Sequence, residues 1–216
     1  PRGYRLSMSH VLDLVRTAGR VLPFMALAAA LAGCRSDGAG QIQAAWSFET
    51  DFDGWGIHAL DVRQDTSGDS LEIPWSVTRT AARAARGRHS VEITFVNRTD
   101  AAKIWLERSF TVQPGTTYEW ELRFAWYGIQ SSQDGNRLLA GVVATPPVTR
   151  EAVMALGVAG AGAPAAWQVR RATGRVLAGA DGLITLVVGV WSTFEIDYAY
   201  GLDDVRVSLA PAAALP

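Results

Sequence analysis

Thr117-Tyr118-Glu119-Trp120-Glu121-Leu122-Arg123-Phe124 alternates apolar and polar side chains, and Asp203-Asp204-Val205-Arg206-Val207-Ser208-Leu209 does so again near the end of the chain. In an extended backbone successive side chains point to opposite faces. Tyr118, Trp120, Leu122 and Phe124 are therefore expected to turn inward, with Glu119, Glu121 and Arg123 toward water. The later segment sorts the same way, with Val205, Val207 and Leu209 on one face and Asp204, Arg206 and Ser208 on the other. Further β-rich runs stand at residues 45–48, 90–96, 103–112, 138–144, 167–172 and 183–190. Asp53-Gly54, Ser67-Gly68-Asp69, Gln113-Pro114-Gly115, Asp134-Gly135-Asn136 and Asp181-Gly182 divide them, each able to supply a positive φ or a preset proline φ. The expected fold class is all-β, a two-sheet antiparallel sandwich. Only residues 148–156 suit a helix. They lie between Pro146-Pro147 and a Gly/Ala-rich run to Pro164, and read as a long loop with at most one helical turn.

Upstream of the strands the pattern changes. Arg16 and Arg20 precede the apolar run Val21-Leu-Pro-Phe-Met-Ala-Leu-Ala-Ala-Ala-Leu31, which ends in Ala32-Gly33-Cys34. A positive flank, a short apolar core and small residues make an export signal, too short for the ~20 residues of a permanent span. Residues 1–33 are expected to be a signal peptide, with Met8 as the true start, and residues 34–45 a flexible tether. The sandwich should occupy residues 46–209 and a pattern-free tail residues 210–216. Cys34 is the only cysteine, so no disulfide can form within the chain. The formal net charge of -1 gives no global field to draw in nucleic acid, so function must come from local sites.

Leu31-Ala32-Gly33-Cys34 resembles the bacterial lipobox. The resemblance implies a diacylglycerol on the Cys34 thiol, cleavage before it, and a lipid-anchored protein of the cell envelope. Arg35 favours the outer membrane in a Gram-negative organism. Within the body, Trp46-Ser-Phe48-Glu49 with Asp53-Gly54-Trp55, then Gly87-Arg-His-Ser90, Phe110 to Tyr118, Trp167-Gln-Val and Gly201-Leu-Asp203-Asp204-Val205 follow one another in order. Together they resemble the galactose-binding-like jelly-roll domains that include many carbohydrate-binding modules. The resemblance implies a jelly-roll sandwich, carbohydrate bound without catalysis, and a structural calcium held by Glu49 and Asp203. Because Asp203 has the parity of Val205 and Val207, its carboxylate needs a metal, an arginine or a strand end open to water.

Sugar sites of such domains rest on exposed aromatic rings, and Trp46, Trp55, Tyr118 and Trp120 are expected in the core. The carbohydrate-binding candidates are Trp75, Trp126, Tyr127, Trp191, Tyr198 and Tyr200. Glu195-Ile-Asp197-Tyr-Ala-Tyr200 resembles the acid motif of jelly-roll glucanases, but Tyr200 stands where the second acid belongs, and a retaining hydrolase needs both. No Gly-x-Ser-x-Gly, His-Glu-x-x-His, Walker or Cys-x-x-Cys pattern occurs. Arg79, Arg83, Arg86, Arg88 and His89 form a local basic cluster suited to solubility, or to acidic polysaccharide, lipid head groups or a protein. The leading reading is a non-catalytic lipoprotein that binds glycan. The alternative is an envelope protein that uses the same sandwich to contact other proteins.

Overall fold

The computed structural model describes residues 35–37, 41–66, 69–96, 101–130, 136–158, 165–193 and 197–213. Residues 1–33, expected to be a signal peptide, together with Cys34 and Glu195, lie outside these residues. The chain divides into Pro1–Ala30 and Leu31–Pro216, and every described residue belongs to the second unit. Its elements are β1 (Arg35–Asp37), β2 (Gln41–Trp46), β3 (Gly56–Leu60), β4 (Arg63–Thr66), β5 (Asp69–Glu72), β6 (Trp75–Thr80) and β7 (Ser90–Val96). They continue with β8 (Lys103–Thr111), β9 (Thr117–Gln130), β10 (Arg137–Val143), α1 (Arg150–Met154), β11 (Gly157–Val158), β12 (Gln168–Leu177), β13 (Leu183–Trp191) and β14 (Asp197–Pro211).

Two antiparallel sheets face each other as a jelly-roll sandwich. A seven-stranded sheet runs β1-β2-β14-β7-β6, with β9 on β14 and β12 on β9; a five-stranded sheet runs β11-β10-β13-β8-β3. The expected alternation is realised on β9, where Tyr118, Leu122 and Phe124 are buried while Glu119 and Arg123 are exposed. Strand β14 organises its sheet. Asp197–Leu202 pairs with β7, residues 205–209 pair with β2, and β9 runs along the opposite edge.

Where β14 passes from one partner to the other, the register slips between Asp203 and Arg206 and Asp204 takes φ 46°. Such a bulge inserts a residue and reverses the side-chain alternation. Tyr198, Tyr200 and Leu202 face the core on one side of it, and Val205, Val207 and Leu209 on the other. Asp203 therefore does not share the parity of Val205 and Val207, as continuous alternation implied. It is buried on the outer face instead, beneath the segment between β6 and β7.

The core is rich in rings. Phe95, Tyr198, Tyr200 and Trp126 form a file with centroid separations of 5.3, 5.9 and 5.0 Å, and Trp46 meets Trp55 edge-on at 5.3 Å. Trp126, Tyr198 and Tyr200 thus pack in the interior, contrary to their expected role on the surface. Both strands run further than their alternating stretches, so these rings fall within the paired region and not in loops. Each such ring contributes about 1.5–3 kcal/mol by leaving water.

The body also begins and ends beyond the expected limits. Gln41-Ile42-Gln43-Ala44-Ala45-Trp46 alternates, and pairing of Ile42–Trp46 with β14 and of Gln41 with β1 makes residues 41–45 strand where tether was expected. At the other end β14 reaches Pro211, and the Ala212 amide donates to the Thr117 carbonyl at 2.8 Å. The single helical turn is present as α1, capped by the Thr149 hydroxyl, which accepts from the Ala152 amide.

Candidate functional site

The outer faces of the two sheets differ in kind. On the seven-stranded sheet, Arg171 pairs with Glu121, Arg175 with Glu119, and Arg206 with Asp204, cross-strand or local ion pairs on an ordinary solvated surface. The five-stranded sheet carries instead a second apolar cluster outside the core. Trp105, Leu139, Val153 and Val187 are buried there, with Leu60, Val143, Leu156 and Trp191 packed around them.

Cross-strand register explains the grouping. In antiparallel pairs directly opposite residues share a face. One row runs Arg137, Trp191, Lys103, Leu60 and the next runs Leu139, Gly189, Trp105, His58. Gly189 leaves room for the close approach of the β8 backbone: a Cβ there would stand 2.2 Å from the Ile104 carbonyl oxygen, 2.5 Å from the Trp105 Cα and 2.6 Å from its Cβ. The third row brings Gly141, Val187, Glu107 and Gly56 together.

Planar polar groups surround the rings. His58 stacks on Trp105 at 5.5 Å with an interplanar angle of 18°, and its Nε2 lies 3.2 Å from Glu107. The Trp105 indole donates to Glu107 at 3.1 Å. Trp191, half-buried, sits between two cations, Lys103 at 5.3 Å and Arg137 at 5.6 Å from its ring centroid. Its indole Nε1 is buried without a hydrogen-bond partner. Lys103, the chain's single lysine, is 1% exposed; it donates to Asp61 and to the Ala101 carbonyl, both at 2.6 Å. Arg150 donates to the other Asp61 oxygen at 2.7 Å. Burial works to raise the Asp61 pKa, but the hydrogen bonds and charges of Lys103 and Arg150 outweigh it and hold the carboxyl below its ordinary value.

The segment from Thr149 to Val158 is strapped over the middle of this face. Arg150 ties one end to Asp61, Val153 inserts into the apolar cluster, and Leu156 lies over Gly141, where a Cβ would stand 2.7 Å from its Cδ2. The margins stay open at Trp191 and Arg137 on one side and at His58 on the other.

Of the aromatic residues expected at a binding surface, Trp191 alone belongs to this face. Trp75 is 38% exposed on edge strand β6, Tyr127 is half-buried on the opposite sheet, and Trp126, Tyr198 and Tyr200 are interior. Trp105 and Glu107 were not among the expected site residues and His58 had no evident partner in the sequence, although for Trp105 the signal was present. In Lys103-Ile104-Trp105-Leu106-Glu107, Trp105 has the parity of the two charged residues, not of Ile104 and Leu106.

Glu49 and Asp203 are met by backbone amides. Glu49 accepts from the amides of Arg88 and His89 at 3.0–3.1 Å, and Asp203 from those of Ala85 and Arg86 at 2.8 Å and Asp204 at 2.6 Å. The His89 and Arg88 amides lower the Glu49 pKa, whereas burial pushes that of Asp203 up despite its donors. At Asp203 these backbone amides compensate the buried carboxylate. Among the described residues no group of three or more His, Cys, Asp or Glu could hold a metal ion.

No protein-family model and no curated sequence matches the chain. Solved structures do resemble it. The C-terminal family 22 carbohydrate-binding module of Clostridium thermocellum xylanase Xyn10B matches at 14% identity over 84% of this chain and 99% of its own, with a TM-score of 0.48. The family 22 xylan-binding domain of Paenibacillus barcinonensis Xyn10C matches at 18% identity over 78% and 94%, with a TM-score of 0.44. A family 11 module from Clostridium thermocellum, solved with a mixed-linked tetrasaccharide, matches at 10% identity over 79% and 96%, also with a TM-score of 0.44.

Proposed function

We propose that this domain binds a neutral polysaccharide, without cleaving it, at the outer face of the five-stranded sheet. The observation that carries this reading is Trp191, a half-buried indole between Lys103 and Arg137 on a sheet face whose rings lie outside the core. A sugar ring presents an apolar face edged with hydroxyls. An indole takes the first, and Arg137, Glu107 and His58 offer donors and acceptors for the second. Binding needs no proton transfer here. The hydrogen bonds and charges of Lys103 and Arg150 hold the Asp61 carboxyl below its ordinary pKa, so it is not poised as a proton donor, and Glu107 is engaged by His58 and the Trp105 indole. We further propose that Cys34 carries a diacylglycerol that anchors the domain to the cell envelope, at the outer membrane in a Gram-negative cell. In that case the lipid sets location and the sandwich supplies recognition.

Affinity electrophoresis of the full chain through gels containing soluble xylan or mixed-linkage β-glucan tests the binding reading. Retardation is expected with at least one of them. Trp191→Ala should weaken it about tenfold, the ~1.4 kcal/mol of one stacked ring. Unretarded migration in both gels, or retardation indifferent to Trp191→Ala, overturns the assignment. Metabolic labelling with a fatty acid, lost in Cys34→Ser, tests the anchor.

A further inference from the structure

The opposite sheet carries a second arrangement that the polysaccharide face does not use. Across its outer surface Glu92 on β7, Gly201 on β14 and Tyr127 on β9 stand in one row. Gly201 leaves the backbone bare, and Trp167 lies over it: a Cβ there would stand 2.9 Å from the indole Cη2 and 3.3 Å from the Tyr127 Cβ. The Trp167 and Tyr127 rings are 5.4 Å apart, tilted by 59°, and both half-buried. They form a shallow V of two apolar surfaces.

The rim of the V is basic and fixed in place. Arg83 projects from the segment between β6 and β7, its guanidinium 5.4 Å from the Tyr127 centroid. Ser90 donates to the Arg83 carbonyl at 2.7 Å, and Asp203 and Glu49 hold the amides of Ala85, Arg86, Arg88 and His89. The arginine backbone is thereby set before any ligand arrives. Arg86 is spent on Asp204, 3.3 Å away. Arg83 and Arg88 are exposed and pair with no carboxylate among the described residues.

We infer that this face is a separate subsite for an anionic sugar, a pyranose bearing a carboxylate. One sugar face would rest against Trp167 and Tyr127, the Arg83 fork would take the carboxylate, and Glu92 would accept from hydroxyls at the far end of the row. Arg is suited to this task because its planar fork meets a carboxylate with two parallel hydrogen bonds. The site is independent of the polysaccharide face, since it uses other residues on the other sheet.

Calorimetric titration of the full chain with oligogalacturonate, and with neutral xylo-oligosaccharide of equal length, tests the inference. Oligogalacturonate is expected to bind with an affinity that falls as ionic strength rises. Arg83→Ala should weaken it about tenfold or more, and Arg83→Lys should do so less. Arg83→Ala should leave retardation in neutral polysaccharide gels unchanged. Arg83 is an exposed side chain, so its removal does not threaten the fold, and an unchanged circular dichroism melt verifies this. Absence of oligogalacturonate binding, or binding equal in wild type and Arg83→Ala, overturns the subsite while leaving the polysaccharide face standing. Loss of both ligands in Arg83→Ala would overturn their independence.

Discussion

Replacing Asp203 by alanine probes the joint on which the outer segment of the larger sheet depends. The carboxylate is fully buried and accepts three amide N–H groups, from Ala85, Arg86 and Asp204. Hydrogen bonds to a charged acceptor contribute about 1.5–3 kcal/mol each when the partner would otherwise go unsatisfied. Two reductions apply. Ala85 and Arg86 are exposed residues whose amides can turn to water, and burial of the charge, visible in the raised pKa, takes back part of the gain. A net loss of roughly 2–3 kcal/mol remains, which at about 2–4 °C per kcal/mol for a domain of this size lowers Tm by roughly 5–10 °C. Asp203→Asn should cost less than Asp203→Ala, because its carbonyl oxygen can still accept from Ala85 and Arg86 and its NH2 opposes only the Asp204 N–H. The pH dependence has a definite sign. With the folded pKa above the ordinary value of 3.8, the native state holds the extra proton between the two values. The stabilisation from Asp203 is thus fullest at low pH and declines as pH rises through that window. Urea unfolding combined with amide exchange is the assay. A loss below about 1 kcal/mol with the Ala85 and Arg86 amides as protected as before would refute the reasoning.

Four further outcomes are expected. Burial holds the Tyr200 phenol well above its ordinary value of 10.0, so the folded state keeps a proton that the unfolded chain releases, and stability should fall as pH rises above 10. Tyr200→Phe should remove that alkaline dependence in urea titrations, at a cost of about 1–2 kcal/mol for the orphaned Asn136 amide. Trp126→Ala should lose about 3–5 kcal/mol in chemical unfolding, with polysaccharide affinity unaltered below its reduced Tm; an affinity loss would contradict its place in the core. Gly87, at φ 72° with its missing Cβ directed at the Glu49 carboxylate, should lose more than about 1 kcal/mol on change to alanine, read by thermal melts. Chelation with EDTA should leave Tm unmoved, because amides already occupy Glu49 and Asp203; a fall restored by calcium would reverse that conclusion.

How far the sequence could be read depended on which interactions are local. Alternation along β7 and β9 placed these strands and their inward faces, the continuous apolar run of β13 marked it as a strand buried on both sides, and turn residues such as Asp53-Gly54 and Gly182 do adopt positive φ. The bulge at Asp203–Asp204 left no such trace, because it arises where β14 changes partner between β7 and β2. That one slip reversed the expected direction of Asp203. Trp126, Tyr198 and Tyr200 were misplaced for a related reason: pairing between β9 and β14 carries both strands past the point where alternation fades. At the candidate site Trp191 was legible as an aromatic residue at a strand end. Trp105 and His58 required knowledge of which strand lies beside which. Strands β3 to β6, with weak alternation and many turn-forming residues, were not anticipated at all.

The isolation of Lys103 has a practical side. All other cationic side chains in the chain are arginines, and this lone amine is buried against Asp61 and Trp191. An amine-directed ester has no side-chain target on the folded domain until the strap or the face beneath it parts. Acylation at Lys103 is therefore a built-in clock for local opening. Its rate, followed by mass spectrometry with and without saccharide present, reads how often the five-stranded sheet uncovers itself and whether an occupant slows it.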